Sequence, residues 1–188
     1  GTPPMLFAVG DGNHSLATAR SIWQQARATV GLQHPSRYAL VEVVNIHDPA
    51  LAFEPIHRLL FGVRGDMREA LRQSFGSRVQ IHDVATADAM RLRVQASAAP
   101  LPAFGLIGPG ARFAVVEISD APASLAVGTL QAFVDSHIAE GGAEQVDYVH
   151  GDDVVERVGQ QPGHVGVRLA TVAKSGLLKR VVLEGTLP

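Results

Sequence analysis

The sequence predicts a mixed α+β protein, a layered α/β sandwich in which a mixed β-sheet is flanked by helices. Three observations predict it. Apolar runs typical of strands alternate with segments whose apolar residues recur every three or four positions. One Gly-Pro-Gly turn joins two apolar runs as a hairpin. The 188 residues, 46% hydrophobic and 18% charged, have ordinary globular composition and can bury one sizeable core.

The elements follow in chain order. MLFAV (5–9), bounded by Pro4 and Gly10, reads as a short buried strand. From residue 15 to 30, Leu16, Ala19, Trp23, Ala26 and Val30 mark one face of a helix. YALVEVVNI (38–46) is rich in β-branched residues and reads as a second, largely buried strand. PIHRLLF has an alternation that suits a strand, which could simply place His57 on a strand face with Arg58 in solvent. Asp66 caps a helix carrying Met67, Ala70, Leu71 and Phe75, which Gly76 stops. Val79, Ile81 and Val84 suggest a strand, and the Ala-rich segment 86–98 a helix.

AFGLIGPGARFAVVEI then forms the hairpin, and residues 123–139 a helix with Leu130, Phe133, Val134 and Ile138 on one side. VDYVHG reads as a strand, DDVVERVG as a short helix, HVGVRLA as a strand, and SGLLKRVVLEG as a final helix ending at Gly185. No repeat or low-complexity segment interrupts the series, so 1–188 is expected to be a single domain.

Charge and composition narrow the function. A net charge of −2 gives no electrostatic reason to expect nucleic acid or an anionic membrane as partner. Arg58, Arg64, Arg68, Arg72 and Arg78 cluster, but Arg68 and Arg72 lie beside Asp66 and Glu69, the pattern of a solvated, salt-bridged face. With no cysteine there is no disulfide, thiolate zinc site or cysteine nucleophile. The chain has no 18-residue apolar stretch and no basic signal-peptide start, so a cytoplasmic protein is the expectation.

AVGDGNHSLATA (8–19) places a glycine-bearing turn between a strand pattern and a helix start. First-turn N–H groups lack intrahelical partners, the dipole is positive there, and glycine lets a ligand approach the backbone. The turn therefore suits a phosphate or carboxylate. The plain structural alternative is a turn capped by Asn13 or Ser15 with Asp11 compensating the dipole. A P-loop motif is absent. Gly10 and Gly12 match the start of G-x-G-x-x-G, but Ser15 replaces its third glycine and no acid follows at the right distance. There is no G-x-S-x-G elbow.

GDGNHSLATA, PIHRLL (55–60) and VDYVHGDDVV (146–155), in that order, resemble a bacterial and archaeal family known as domain of unknown function 1015. The segment GHVGVRLATVAKSGLLKRVVLEGTLP is similar to the family's C-terminal region, and members are about twice as long, so the chain is expected to be a fragment. Many members carry DGHHR, where this chain has Asn13 for the first His and Ser15 for the Arg. Arg58 or Arg20 is then the cation that would replace that Arg. The DG-x-H turn is also similar to the phosphate-binding turn of the ParB and sulfiredoxin-like superfamily, which includes nucleotide-hydrolysing partition proteins and free-serine kinases.

The resemblance implies a nucleotide- or phosphometabolite-binding protein, with serine metabolism and a small-molecule kinase as its catalytic form. In that reading Asp11 binds magnesium or acts as base, with ATP or ADP as co-substrate. Asp11, His14 and His57 are the catalytic candidates; Gly10, Gly12, Asn13, Ser15 and Arg58 would hold phosphate, with His57 beside Arg58. His150 and Asp152 are secondary candidates, their plain alternative being Asp152 or Asp153 as a helix cap. His34, His47, His82, His137 and His164 sit in no comparable cluster and read as surface residues. Two other functions stay open: a non-catalytic module sensing a nucleotide, phosphate or amino acid, and a metal-dependent hydrolase using Asp11, His14, His57, His150 and Asp152.

Overall fold

The computed structural model describes residues 6–7, 9–10, 12–51, 54–97, 102–120 and 126–171. Contacts group the chain into two units, 1–51 and 52–188. In the first unit, α1 (Asn13–Val30) is the helix that the apolar spacing predicts, and a 3-10 turn (Pro35–Arg37) follows it. Leu16, Ala19, Trp23 and Ala26 are its half-buried residues, and none is fully buried.

Two expected strands are corrected here. Residues 38–46 form no strand, and Tyr38, Leu40, Val41, Val43 and Val44 are exposed. β-Branched composition favours an extended backbone, but a strand exists only where a neighbour takes its hydrogen bonds. Of MLFAV, the described Leu6, Phe7 and Val9 are likewise exposed and outside any strand.

The second unit contains β1 (His57–Phe61), α2 (Met67–Phe75), β2 (Val79–Val84), α3 (Ala87–Ala96), β3 (Ala103–Gly108), β4 (Arg112–Ile118), α4 (Ala126–Ala139), β5 (Gln145–Val149), α5 (Asp152–Gly159) and β6 (Val165–Leu169). The expected starts and stops recur. Asp66 caps α2 by accepting the Arg68 N–H at 2.8 Å, Gly76 ends it, and Thr86 caps α3. The expected C-terminal helix lies outside the described residues.

The six strands run in the order β2-β4-β3-β6-β1-β5, and all five pairings are antiparallel, where the sequence suggested a mixed sheet. The reason lies in the crossovers. β2 and β3 flank helix α3 in sequence and point the same way, but β4 lies between them. β5 and β6 flank α5, with β1 between them. Each β-α-β unit is thus split by a strand of opposite direction, which leaves no adjacent parallel pair among the described residues.

Alternation along the strands supplies two cores. On one face Leu60, Phe104, Leu106, Val116, Val165 and Val167 meet Leu71 and Phe75 of α2 and Leu130, Phe133 and Val134 of α4. On the other, Ile107, Phe113 and Val115 meet Met90 and Val94 of α3 and Val155 of α5. Helix α5 lies very close to β6. A Cβ on Gly159 would stand 2.6 Å from the Gly166 nitrogen, and one on Gly166 would stand 2.7 Å from the Val155 carbonyl oxygen. No helix among the described residues is long and apolar enough to cross a membrane.

Candidate functional site

The turn before α1 is built around Gly12, whose φ of 81° and ψ of 16° lie in the left-handed region that glycine adopts without steric cost. Its carbonyl accepts the Leu16 N–H at 2.9 Å and so opens the helix. Asn13, His14 and Ser15 are the first three helical residues and are exposed. The capping expected of Asn13 or Ser15 is not made, because both residues already lie inside the helix, and among the described residues no side chain caps it. The first turn also carries no acidic residue. A Cβ on Gly10 or Gly12 would meet nothing within 4 Å, so the turn leaves steric room beside both glycines. Asp11 lies outside the described residues. Arg20 is exposed on α1.

In the second unit, β1 and the start of α5 bring His57 and Asp152 together. His57 is 1% exposed, and its Nε2 lies 3.1 Å from Asp152 Oδ1. Its Nδ1 accepts the Leu169 N–H at 3.2 Å, which places the ring proton on Nε2, donated to Asp152. Asp152 is the first residue of α5 and caps nothing; Gly151 is the N-cap residue. Its carboxylate accepts Arg168 Nε on Oδ1 at 2.9 Å and Nη2 on Oδ2 at 3.3 Å, a bidentate pair. Arg168 is 7% exposed, and its Nη1 has no hydrogen-bond partner among the described residues.

The electrostatics agree with that bonding. Burial lowers the His57 pKa below the ordinary histidine value; the attraction of Asp152 opposes this and the charge of Arg168 adds to it. The ring is therefore neutral at pH 7. For Asp152, burial pushes the pKa up, but the hydrogen bonds and charge of Arg168, with His57 and Arg91, outweigh it and hold the carboxyl below its ordinary value. Asp152 is a carboxylate clamped by a guanidinium and accepting from a neutral imidazole.

Arg58 follows His57 on the strand and so faces the opposite side of the sheet. It is 3% exposed, which corrects the alternative of a solvated Arg58. Its Nε donates to Gln131 Oε1 at 3.1 Å, Nη1 donates to the Ile56 carbonyl, and the guanidinium lies 4.7 Å from the Tyr148 ring centroid. Burial lowers its pKa against the pull of Tyr148 and Asp135. The sheet thus divides the His57–Arg58 pair that the sequence suggested for one phosphate. His150 is exposed, two residues before Asp152, and its charge opposes protonation of His57.

Among the described residues, no three His, Cys, Asp or Glu side chains gather as a metal would require. His57 in particular has both ring nitrogens engaged. Arg168 escaped the sequence reading, although a single charged residue inside the apolar strand HVGVRLA is the kind of signal a buried partner leaves. Three histidines read as surface residues are half-buried: His164, whose Nδ1 lies 3.2 Å from the Val158 carbonyl oxygen, and His82 and His137, each with a buried Nε2.

A family model described as "Protein of unknown function (DUF1015)" matches residues 3–137, a span that includes the α1 turn, His57 and Arg58 and stops before Asp152 and Arg168. No curated protein and no solved structure matches the chain.

Proposed function

The chain belongs to the DUF1015 family, a family of unknown function, and from that premise we propose that it binds a small phosphorylated molecule, a nucleotide or phosphometabolite, at the N-terminus of α1. One observation carries this reading. An 18-residue helix begins with exposed Asn13, His14 and Ser15, without a side-chain cap among the described residues and without a carboxylate in its first turn. First-turn N–H groups and the positive dipole end are a ready anion site, and the glycine turn admits the ligand to the backbone. The Asn13 amide, the Ser15 hydroxyl and the His14 ring supply side-chain donors around it. Charge-assisted hydrogen bonds are worth roughly 1.5–3 kcal/mol each, so two or three bring a phosphate into the millimolar to micromolar range.

Binding without transfer is the form best supported in this chain. His57, the histidine assigned to chemistry beside the phosphate, has its two ring nitrogens committed to Leu169 and Asp152. Phosphoryl transfer to a small amino acid then rests on Asp11 as base or magnesium ligand. Thermal-shift and turnover measurements with ATP, ADP, phosphoserine and serine, with and without magnesium, separate the two forms. A phosphate-dependent shift that survives Asp11→Asn, with no turnover in either protein, is the result expected of a binding module. Turnover abolished by Asp11→Asn with binding intact would establish the kinase form, and no shift with any phosphorylated ligand would overturn the reading.

A further inference from the structure

A cavity of about 190 Å³ lies at the end of the sheet formed by the β3–β4 turn, on the face covered by α2. It is on the opposite face from His57 and Asp152. Its apolar part comes from Met67, Leu106 and Val165, all at most 6% exposed and all members of the α2/α4 core. Its polar part comes from Arg68, Arg112 and His164, with Asp66 at the start of α2.

These polar groups differ in what they have left to offer. Asp66 spends Oδ1 on the Arg68 N–H, which turns its charge toward the helix start. Arg68 pairs through Nη2 with Asp83, a carboxylate on β2 that is itself three-quarters exposed. Arg112 uses Nε on the Pro109 carbonyl at 3.2 Å, and among the described residues no carboxylate is in ion-pair contact with it. The His164 ring is set edge-on to Phe61, centroids 4.8 Å apart, and donates Nδ1–H to Val158. Two glycines on the wall, Gly65 and Gly163, face open space, since a Cβ on either would meet nothing within 4 Å.

We propose that this cavity binds a small aliphatic carboxylate, its hydrocarbon on Met67, Leu106 and Val165 and its carboxylate on the guanidinium groups of Arg112 and Arg68. Chemistry selects that class. The planar Arg112 guanidinium, whose terminal nitrogens are uncommitted among the described residues, matches a carboxylate in two parallel hydrogen bonds, and Arg68, paired through Nη2 with Asp83, adds its charge. The apolar floor disfavours a fully hydrated anion such as inorganic phosphate, whose water it would strip without return. The volume falls below the range of drug-sized pockets and suits a molecule of a few carbons. The cavity shares no residue with the proposed phosphate site at α1, and its test does not depend on it.

Selective methyl labelling of methionine reads this directly, because Met67 lines the cavity and Met90 packs on the opposite face beneath Gly105. Isovalerate is the probe, with isoamyl alcohol as the same tail without charge and Met67→Leu to assign the signal. The expected result is a saturable shift of the Met67 methyl with isovalerate, a much weaker one with isoamyl alcohol, and Met90 unmoved. Arg112→Gln, an exposed position outside the core, is expected to weaken isovalerate about tenfold while the Met90 signal reports an intact fold. No saturable Met67 shift, an equal response to the alcohol, or an affinity unchanged by Arg112→Gln would overturn the proposal.

Discussion

At the scale of single residues, His57 has the largest consequence for its size. Its Nδ1 holds the Leu169 N–H and its Nε2–H is held by Asp152, so adding a proton sets a donor against a donor beside Arg168. Burial lowers its pKa in the folded protein. As pH falls, the unfolded chain therefore takes the proton first, and stability falls with it. The contribution is complete above the unfolded value of about 6.5 and is lost as pH drops from there toward the lower folded value, at up to about 1.4 kcal/mol per pH unit. Asp152, also lowered, adds a second loss below about pH 4. Urea unfolding between pH 7 and 5 is expected to show the first slope in the native chain and not in His57→Gln; an equal slope in both would remove His57 from that account. His57 and Asp152 are conspicuous in the sequence because they stand in PIHRLL and VDYVHGDDVV, two of the motifs that resemble the family. Strand alternation could set Arg58 on the other side from His57, but the sequence did not reveal that Arg58 is buried there with partners of its own, since Gln131 and Tyr148 lie 73 and 90 positions on. Nor did it mark Arg168, whose partner Asp152 comes from another element.

At the scale of elements, the position of Asp152 depends on how closely α5 approaches β6. Gly159 and Gly166 allow backbone to meet backbone, and a methyl group on Gly166 would press into the Val155 carbonyl. Gly166→Ala is expected to destabilise the protein by about 1–3 kcal/mol through overpacking. It should also shift the His57 ring resonances as α5 moves away, whereas a silent substitution in both unfolding and NMR would contradict the packing. Element type was readable where local signals agreed. α2 has its Asp66 cap, its Met67, Leu71 and Phe75 stripe and its Gly76 stop, and the hairpin has its Gly-Pro-Gly turn. Residues 38–46 carry a strong β composition, yet 38–45 stand exposed. Composition reports a preference for extended backbone, whereas burial and pairing are supplied by other segments.

At the scale of the whole molecule, the antiparallel sheet arises from two split crossovers, β2-α3-β3 around β4 and β5-α5-β6 around β1. Local alternation of strands and helices looks the same whether a crossover pair is adjacent or split, so the sequence conveyed layers and helix faces but not strand order. The anion site at α1 is tested by a carboxylate placed in that helix's first turn, which separates structure from binding. Ser15→Glu compensates the helix dipole and is expected to raise stability by about 0.3–1 kcal/mol. The same charge occupies the anion's position and repels it. Isothermal titration of native and Ser15→Glu protein with the phosphorylated ligand that gives the largest thermal shift, beside their unfolding curves, is the most direct measurement. An anion site at α1 makes the Ser15→Glu protein more stable and at least about tenfold weaker in binding. Equal affinity in the two proteins would contradict it.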